Sequence, residues 1–476
     1  MKDSLSLTLE KTFNLDLANL YLILDLALSQ GGDFSEIYLE HSTYNYINME
    51  DDIIKETAES ISQGLGIRVI SKEKTGFGYT NSFSLNKIKK AAQTAASVAN
   101  QTKRISPFQL NPLPMKHNFY PIQIPAYESN LQTKISLVKK TYAAAQSFSS
   151  LIKKVKVNLV DKLQTIIIAN SEGIVTFDSR PLLKLTCSAI AEKSGKREVG
   201  YYGGGGRVGL EYFSKKLTPQ TIGQEASKEA LLLLEAVAPP AGEMPVVLAP
   251  GHSGVLIHEA VGHLLEADFN RKKTSVFWNK MGKKVGTSQL TIYDDPTIPY
   301  FRGSYNMDDE GTIPQKTLLI ERGKVVGFLQ DKLSAKLMKA SLTGHGRRQN
   351  FTCFPLPRMS NTYIAAGEYS PQEIIKSISR GFYAYKYQGG QVEDSGKFTF
   401  SVSSGFLIEE GKLTSPVKQA TLIGSNIDIL NKISMVGSDL KFGLQTGTCS
   451  KGGQQVPVND GCPTLKIDKM TVGGRE

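Results

Sequence analysis

The hexapeptide His258-Glu259-Ala260-Val261-Gly262-His263 constrains this chain more than any other stretch. It sets two imidazoles and a carboxylate within about one and a half turns of expected helix, and it uses two of only six histidines. Two nitrogens to hold a divalent metal and a Glu to take a proton from water are the inventory of a metal-assisted hydrolase. The spacing makes a geometric demand. The common His-Glu-x-x-His arrangement puts its histidines four apart on one helical face; here they are five apart. At about 100° per residue, five steps carry the second ring about 140° round the helix. A regular helix would not aim both rings at one ion. The helix must therefore carry a one-residue bulge, end, or bend, with Gly262 the expected place; π-type bulges tend to mark functional sites. The plainer alternative is an undistorted helix in which Glu259 and His263 share a face and hydrogen-bond, with His258 an ordinary buried histidine.

Two histidines do not complete the site, because catalytic zinc usually takes three protein ligands and leaves a position for water. Glu266 and Asp268 are local candidates for the third; His252, His345 and the cysteines are distant ones. Cys449 sits in Gly447-Thr448-Cys449-Ser450-Lys451-Gly452-Gly453, a loop composition able to bring a thiol to an ion, and Lys451 would favour its thiolate. Spacing alone does not choose among them.

Length and composition bound the remainder. A chain of 476 residues is too long for one ordinary core, and about three units are expected. Hydrophobic content of 40% and charged content of 21% are those of a soluble globular protein. No apolar run approaches the ~20 residues needed to cross a bilayer. Met1 to Asp16 lacks the basic and apolar regions of a signal peptide, so a cytoplasmic location is expected. The four cysteines form no C-x-x-C pair and are too sparse for a disulfide scaffold. Three of the four are expected to be small buried hydrophobes. The net charge of +11 permits acidic partners without demonstrating nucleic-acid binding. The densest basic stretch, Arg271 to Lys284, reads as a solvated loop beside the motif helix.

The pattern along the chain is α+β. Proline-rich stretches at 107–125 and 239–250 read as connectors, giving an N-terminal α/β domain (1–106), a middle α/β domain (126–238) that can form one unit with the first, and a strand-rich C-terminal domain (243–476) carrying the distorted helix. Expected helices include Leu17 to Ser29, Ser84 to Ala99 and Leu131 to Phe148. Expected strands include Glu36 to His41, Lys153 to Val160, Thr165 to Ala169 and Leu182 to Ala189, with a hairpin over Gly66 to Tyr79 turning near Lys74-Thr75-Gly76. The pattern Leu-Ile-Glu-x-Gly-Lys occurs at Leu319 and at Leu407, each predicting a hairpin turn, at Arg322-Gly323 and Glu410-Gly411. Gly203 to Gly206 lacks the ending of a phosphate loop and reads as a flexible loop between strands.

The motif, followed by Leu265-Glu266-Ala267-Asp268-Phe269-Asn270-Arg271, resembles the TldD/PmbA family of metallopeptidases. The resemblance continues through Asp309-Glu310-Gly311-Thr312, Gly346-Arg347-Arg348, Pro357-Arg358-Met359-Ser360-Asn361-Thr362, Gly389-Gly390-Gln391-Val392, Cys449 with Lys451, Gly453 and Gln454, Pro463-Thr464-Leu465 and Val472-Gly473-Gly474. It spans the C-terminal half and is looser in the N-terminal half, where the glycine run followed by Arg207 also fits. Cys462 departs from the family pattern, at a position expected to be polar. Because the motif is intact, the chain is similar to the TldD type; PmbA-type chains, also called TldE, generally lack it. The resemblance implies one zinc ion on His258, His263 and Cys449, with Glu259 as the catalytic base of peptide-bond hydrolysis. It further implies a PmbA/TldE-like partner in a heterodimer, with a homodimer as the alternative. The implied substrates are unfolded or extended peptides, which add to a sheet edge through main-chain bonds. A second expectation, tied to the family's older gyrase-modulator label, is a non-proteolytic regulator binding a nucleic-acid-associated partner. A pure binding module needs no Glu beside a metal, so direct nucleic-acid binding is not expected, and no membrane association is.

Overall fold

The computed structural model describes residues 2–99, 106–115, 117–393 and 395–474. Its N-terminal half is built on one seven-stranded sheet. The element order is α1 (Lys2–Phe13), α2 (Leu17–Ala27), β1 (Phe34–Glu50), β2 (Ile53–Ser71), β3 (Lys74–Thr80), α3 (Leu85–Ala96), β4 (Asn111–Pro112), α4 (Leu131–Gln146), β5 (Ile152–Asn170), β6 (Ile174–Lys193), β7 (Lys196–Gly206), α5 (Tyr212–Lys215) and α6 (Pro219–Leu234). The sheet runs β3-β2-β1-β5-β6-β4, with β7 also on β6. Strands from either side of the Pro107–Pro125 stretch thus share it, through the antiparallel β1–β5 pair.

Strand alternation decides what each face does. Odd-numbered residues such as Ile37, Leu39, Ile167 and Ala169 pack under α1, α2 and α3. Ile47, Val157, Leu159, Leu183 and Leu185 pack with α4 and α6 further along the same face. Even-numbered residues of β1 and β5 point the other way: Tyr38, Ile166 and Ile168 cluster with Met307 and Phe351 of the C-terminal half.

Several local expectations are corrected. The hairpin between β2 and β3 turns at Lys72-Glu73: Ser71 pairs with Lys74 and Lys72 takes φ 55°. Lys153–Val160 and Thr165–Ala169 are one continuous strand, because the intervening residues stay in register with both β1 and β6. The run Gly203–Gly206 is the buried end of β7, paired with Leu183 to Thr186. A Cβ on Gly205 would lie 1.9 Å from the Leu183 carbonyl oxygen, and one on Gly203 2.6 Å from the Thr186 methyl. The glycines serve close approach between strands, not flexibility. The two repeated hairpins do share a turn: Arg322-Gly323 and Glu410-Gly411 all have positive φ, as a tight two-residue hairpin turn requires.

In the C-terminal half, β8 (Gly242–Leu248) joins a closed ring of strands. It pairs with 380–392, which pairs with 397–409, then 412–425, then 465–474, which returns to β8. A second, six-stranded sheet holds 361–364 parallel to 459–462. The motif helix packs into the core formed with Phe398, Phe400, Val402 and Leu422 of the ring, and Asn426 Nδ2 donates to the Ala260 carbonyl at 2.7 Å.

The two halves are clamped by a buried charge network. Arg68 of β2 bonds Glu36 of β1 at 2.8 Å and Glu310 at 2.6 Å. Arg348 bonds Glu36, and its backbone N–H donates to Asp309 Oδ2 at 2.7 Å. Arg180 reaches Asp178 at 2.9 Å and Asp309 at 2.5 Å. Asp309, Glu310 and Arg348 therefore join the N-terminal sheet to the C-terminal half. Among the described residues, no helix is long and apolar enough to cross a membrane.

Candidate metal centre

The motif helix is broken in the way its spacing demands. One α-turn, Gly254–Ile257, passes into a π-helical segment, His258–Gly262, and then a 3-10 turn, His263–Leu265. The backbone N–H of His263 donates to the carbonyl of His258, five residues back. A wider turn of this kind stacks residues i and i+5, and the two imidazole centroids lie 5.2 Å apart. Gly262 is needed for a different reason from local distortion: its angles are helical, and a Cβ there would lie 2.0 Å from Met359 Sδ.

Cys449 arrives on a separate element. Strands 448–451 and 454–457 form a hairpin whose turn residues, Gly452 and Gly453, both have positive φ. Arg358, within the Pro357–Thr362 motif, donates to the Cys449 carbonyl at 2.8 Å and to that of Gln454 at 3.3 Å, fixing the hairpin. Cys449 Sγ then lies 3.2 Å from His263 Nε2. Ligand atoms of His258, His263 and Cys449 all fall within 4.8 Å of one another.

Each imidazole is oriented from behind. His258 Nδ1 meets Asp460 Oδ1 at 2.8 Å and His263 Nδ1 meets Glu266 Oε2 at 3.1 Å. Both Nε2 atoms are left for the space between the rings, the arrangement in which outer carboxylates fix metal-binding histidines. Glu266, a candidate ligand by sequence, is thus an orienting group. Asp268 is bonded to Lys451 at 2.7 Å. His345 gives both ring nitrogens to Thr343 and Asp294, and His252 sits against the Tyr387 ring. Lys451 acts on Glu266 (2.9 Å) and Asp268, not on the Cys449 thiol as its sequence position suggests.

The electrostatics match a cation-binding cradle. Burial would raise the Cys449 thiol, but the two imidazoles outweigh it and hold it well below its ordinary value. Burial opposes charge on His263, yet Glu266 and Cys449 push its pKa up to about 10. His258 is likewise held well above the ordinary histidine value by Asp460 and Cys449, against burial. Glu266, despite burial, is drawn down to about 2 by Lys451 and His263. Two imidazoles and a thiolate-forming cysteine backed by two carboxylates suit a tetrahedral divalent ion with one open position. Glu259 is only partly covered, its carboxylate 3.7 Å from His263 Nε2, too long for a hydrogen bond. Burial raises its pKa.

Asp460 and Arg358 were not marked as site residues by sequence. Asp460 lies 202 residues from its histidine, and no local pattern marks it. Of the remaining cysteines, Cys187 and Cys462 are buried, whereas Cys353 is partly exposed in a turn, contrary to the expectation of a core position. Phe277 anchors the basic stretch Arg271–Lys284 in the core while Lys272, Lys273, Lys283 and Lys284 face solvent.

Three family descriptions match the chain in series: PmbA/TldA metallopeptidase domain 1 over 35–99, the central domain over 124–234 and the C-terminal domain over 241–474. A metalloprotease TldD homolog of Haemophilus influenzae is 42% identical over the full length of both chains. Two solved structures share the fold. A candidate modulator of a DNA gyrase from Thermotoga maritima has TM-score 0.78 at 22% identity, covering 95% of this chain and 98% of its own. TldE from Thermococcus kodakarensis has TM-score 0.74 at 20% identity, covering 96% and 100%. The chain belongs to the PmbA/TldD metallopeptidase family.

Proposed function

We propose that this family member is a zinc-dependent peptidase acting on unfolded or extended peptides, working with a PmbA/TldE-like subunit. The observation that carries the reading is the convergence of His258, His263 and Cys449, ligand atoms within 4.8 Å, beside a partly covered Glu259. The zinc ion that His258 Nε2, His263 Nε2 and Cys449 Sγ would hold supplies Lewis acidity toward a scissile carbonyl and toward water. Asp460 and Glu266 keep the two rings turned inward. Glu259, its pKa raised by burial, takes a proton on its carboxylate and returns it to the leaving amine. Support for a partner or an added peptide strand comes from β2: β3 pairs with it only from Leu65 onward, and the outer edge before that point exposes Ile53 and Ile61, a surface that proteins normally cover.

The test is metal content by elemental analysis, together with cleavage of an unfolded peptide with and without a TldE-like subunit. One zinc per chain, absent in Cys449→Ser, and zinc-dependent cleavage are expected. A metal-loaded chain that cleaves nothing with its partner, yet binds DNA with steep salt dependence, would favour the regulator reading instead.

A further inference from the structure

The sheet face turned toward the C-terminal half carries cations that the mechanism does not use. Lys162 of β5 stands opposite Leu182, and Lys184 of β6 opposite Val160. The two lysines are therefore diagonal neighbours on one face. It is the face whose Tyr38, Ile166 and Ile168 pack on Met307 and Phe351, opposite the helix-covered face. Both amines are partly buried, and neither has a hydrogen bond or ion pair among the described residues. The acid nearest Lys162 in charge, Glu40, spends its carboxylate on neutral donors: Ser42, Gln164 and the Phe351 N–H.

A third cation extends this group to the metal centre. Arg302 adjoins the end of β7 that pairs with Lys184, since Gly205 lies opposite Lys184 and a Cβ on the next residue, Gly206, would lie 3.8 Å from the Arg302 backbone nitrogen. Among the described residues its guanidinium has no carboxylate partner. Its Nε donates to the Gly447 carbonyl at 2.7 Å and its Nη2 to Thr448 Oγ1 at 3.4 Å. Those are the two residues leading into Cys449. The line Lys162, Lys184, Arg302 thus runs from the sheet to the strand that delivers the sulfur ligand. Burial lowers the pKa of both lysines, and Arg302 adds to the effect on Lys184. Partly buried cations with no carboxylate bonded to them are costly, and a carboxylate arriving among them relieves that cost.

We propose that Lys162, Lys184 and Arg302 form a carboxylate-binding subsite of the substrate cleft, so that the preferred peptides place an acidic side chain or the free C-terminal carboxylate beside the scissile bond. The assignment rests on the peptidase reading for its meaning, but binding tests it independently.

Three unfolded peptides of one sequence separate the sources: an internal Glu with an amidated C-terminus, an internal Gln with a free C-terminus, and an internal Gln with an amidated C-terminus. Binding is read by fluorescence anisotropy on the zinc-loaded full chain, and cleavage as kcat/KM with the partner subunit. At least one carboxylate peptide should bind about tenfold more tightly than the neutral one, as a charge-assisted pair implies. The Lys162→Gln/Lys184→Gln double variant, which keeps Arg302, should reduce that preference at least about threefold and leave the neutral peptide unchanged, since neither side chain holds another group in place. Equal binding of all three peptides by the unaltered chain would overturn the subsite, whether or not cleavage occurs. So would a preference undiminished in the double variant. Loss of cleavage with the binding preference intact would sink the peptidase reading alone.

Discussion

His258 Nδ1 lies 2.8 Å from Asp460 Oδ1, although 202 residues separate them in the chain. The pair is formed by the parallel strands 361–364 and 459–462, which bring the end of the chain beneath the motif helix. It turns one imidazole so that its other nitrogen faces Cys449. Glu266 does the same for His263 from only three residues away.

These outer carboxylates should tune metal affinity without being ligands. Asp460→Asn and Glu266→Gln are each expected to weaken zinc binding by roughly 10–100-fold while leaving the stoichiometry at one. Competition with a chromophoric chelator measures this; unchanged affinity in both variants would show that the rings are oriented by packing alone.

Glu259 and His258 should separate chemistry from binding. Glu259→Gln is expected to keep its zinc and lose about 10²–10⁴-fold in peptide hydrolysis, the usual worth of a positioned acid–base group. His258→Ala should lose both metal and activity. Full activity in Glu259→Gln would remove the assigned base.

Metal uptake should depend on pH in a defined direction. Without metal, His263 holds a proton up to about 10, because Glu266 and Cys449 stabilise it against burial. The metal must displace that proton, so affinity rises with pH from neutrality toward that value and falls as pH drops. His258, held well above the ordinary histidine value by Asp460 and Cys449, must give up a proton as well, and two displaced protons correspond to about hundredfold in association constant per pH unit. Chelator competition at stepped pH values gives the slope, and a flat profile would mean that both imidazoles are already neutral.

Gly205→Ala tests the reassignment of the glycine run. In a flexible loop the change would be harmless or slightly stabilising. In β7 the new Cβ meets the Leu183 carbonyl oxygen at 1.9 Å, and backbone cannot move aside cheaply. A loss of about 1–3 kcal/mol is expected, visible as a lowered Tm in thermal denaturation.

Breaking the clamp between the halves should cost more. Arg68→Met leaves Glu36 and Glu310 buried beside a missing charge, and about 3–5 kcal/mol of destabilisation is expected. Denaturant unfolding measures it, and a loss below about 1 kcal/mol would mean that water replaces the guanidinium.

The amino-acid sequence by itself determined the demand for a broken helix. Two histidines five apart cannot serve one ion on a regular helix, and the only freedom was the kind of break. Local chemistry also marked the paired hairpin turns at Arg322-Gly323 and Glu410-Gly411, where positive φ is a property of the turn residues themselves. The tertiary structure decided what no local pattern carries. It placed Asp460 behind His258, assigned Lys451 to Glu266 and Asp268, and buried Gly203–Gly206 between strands. It also fused segments on both sides of a proline-rich connector into one sheet. Backbone geometry repeats within a few residues and can be read from spacing. Contacts across hundreds of residues depend on which sheet faces meet, and that is settled only when the chain packs as a whole.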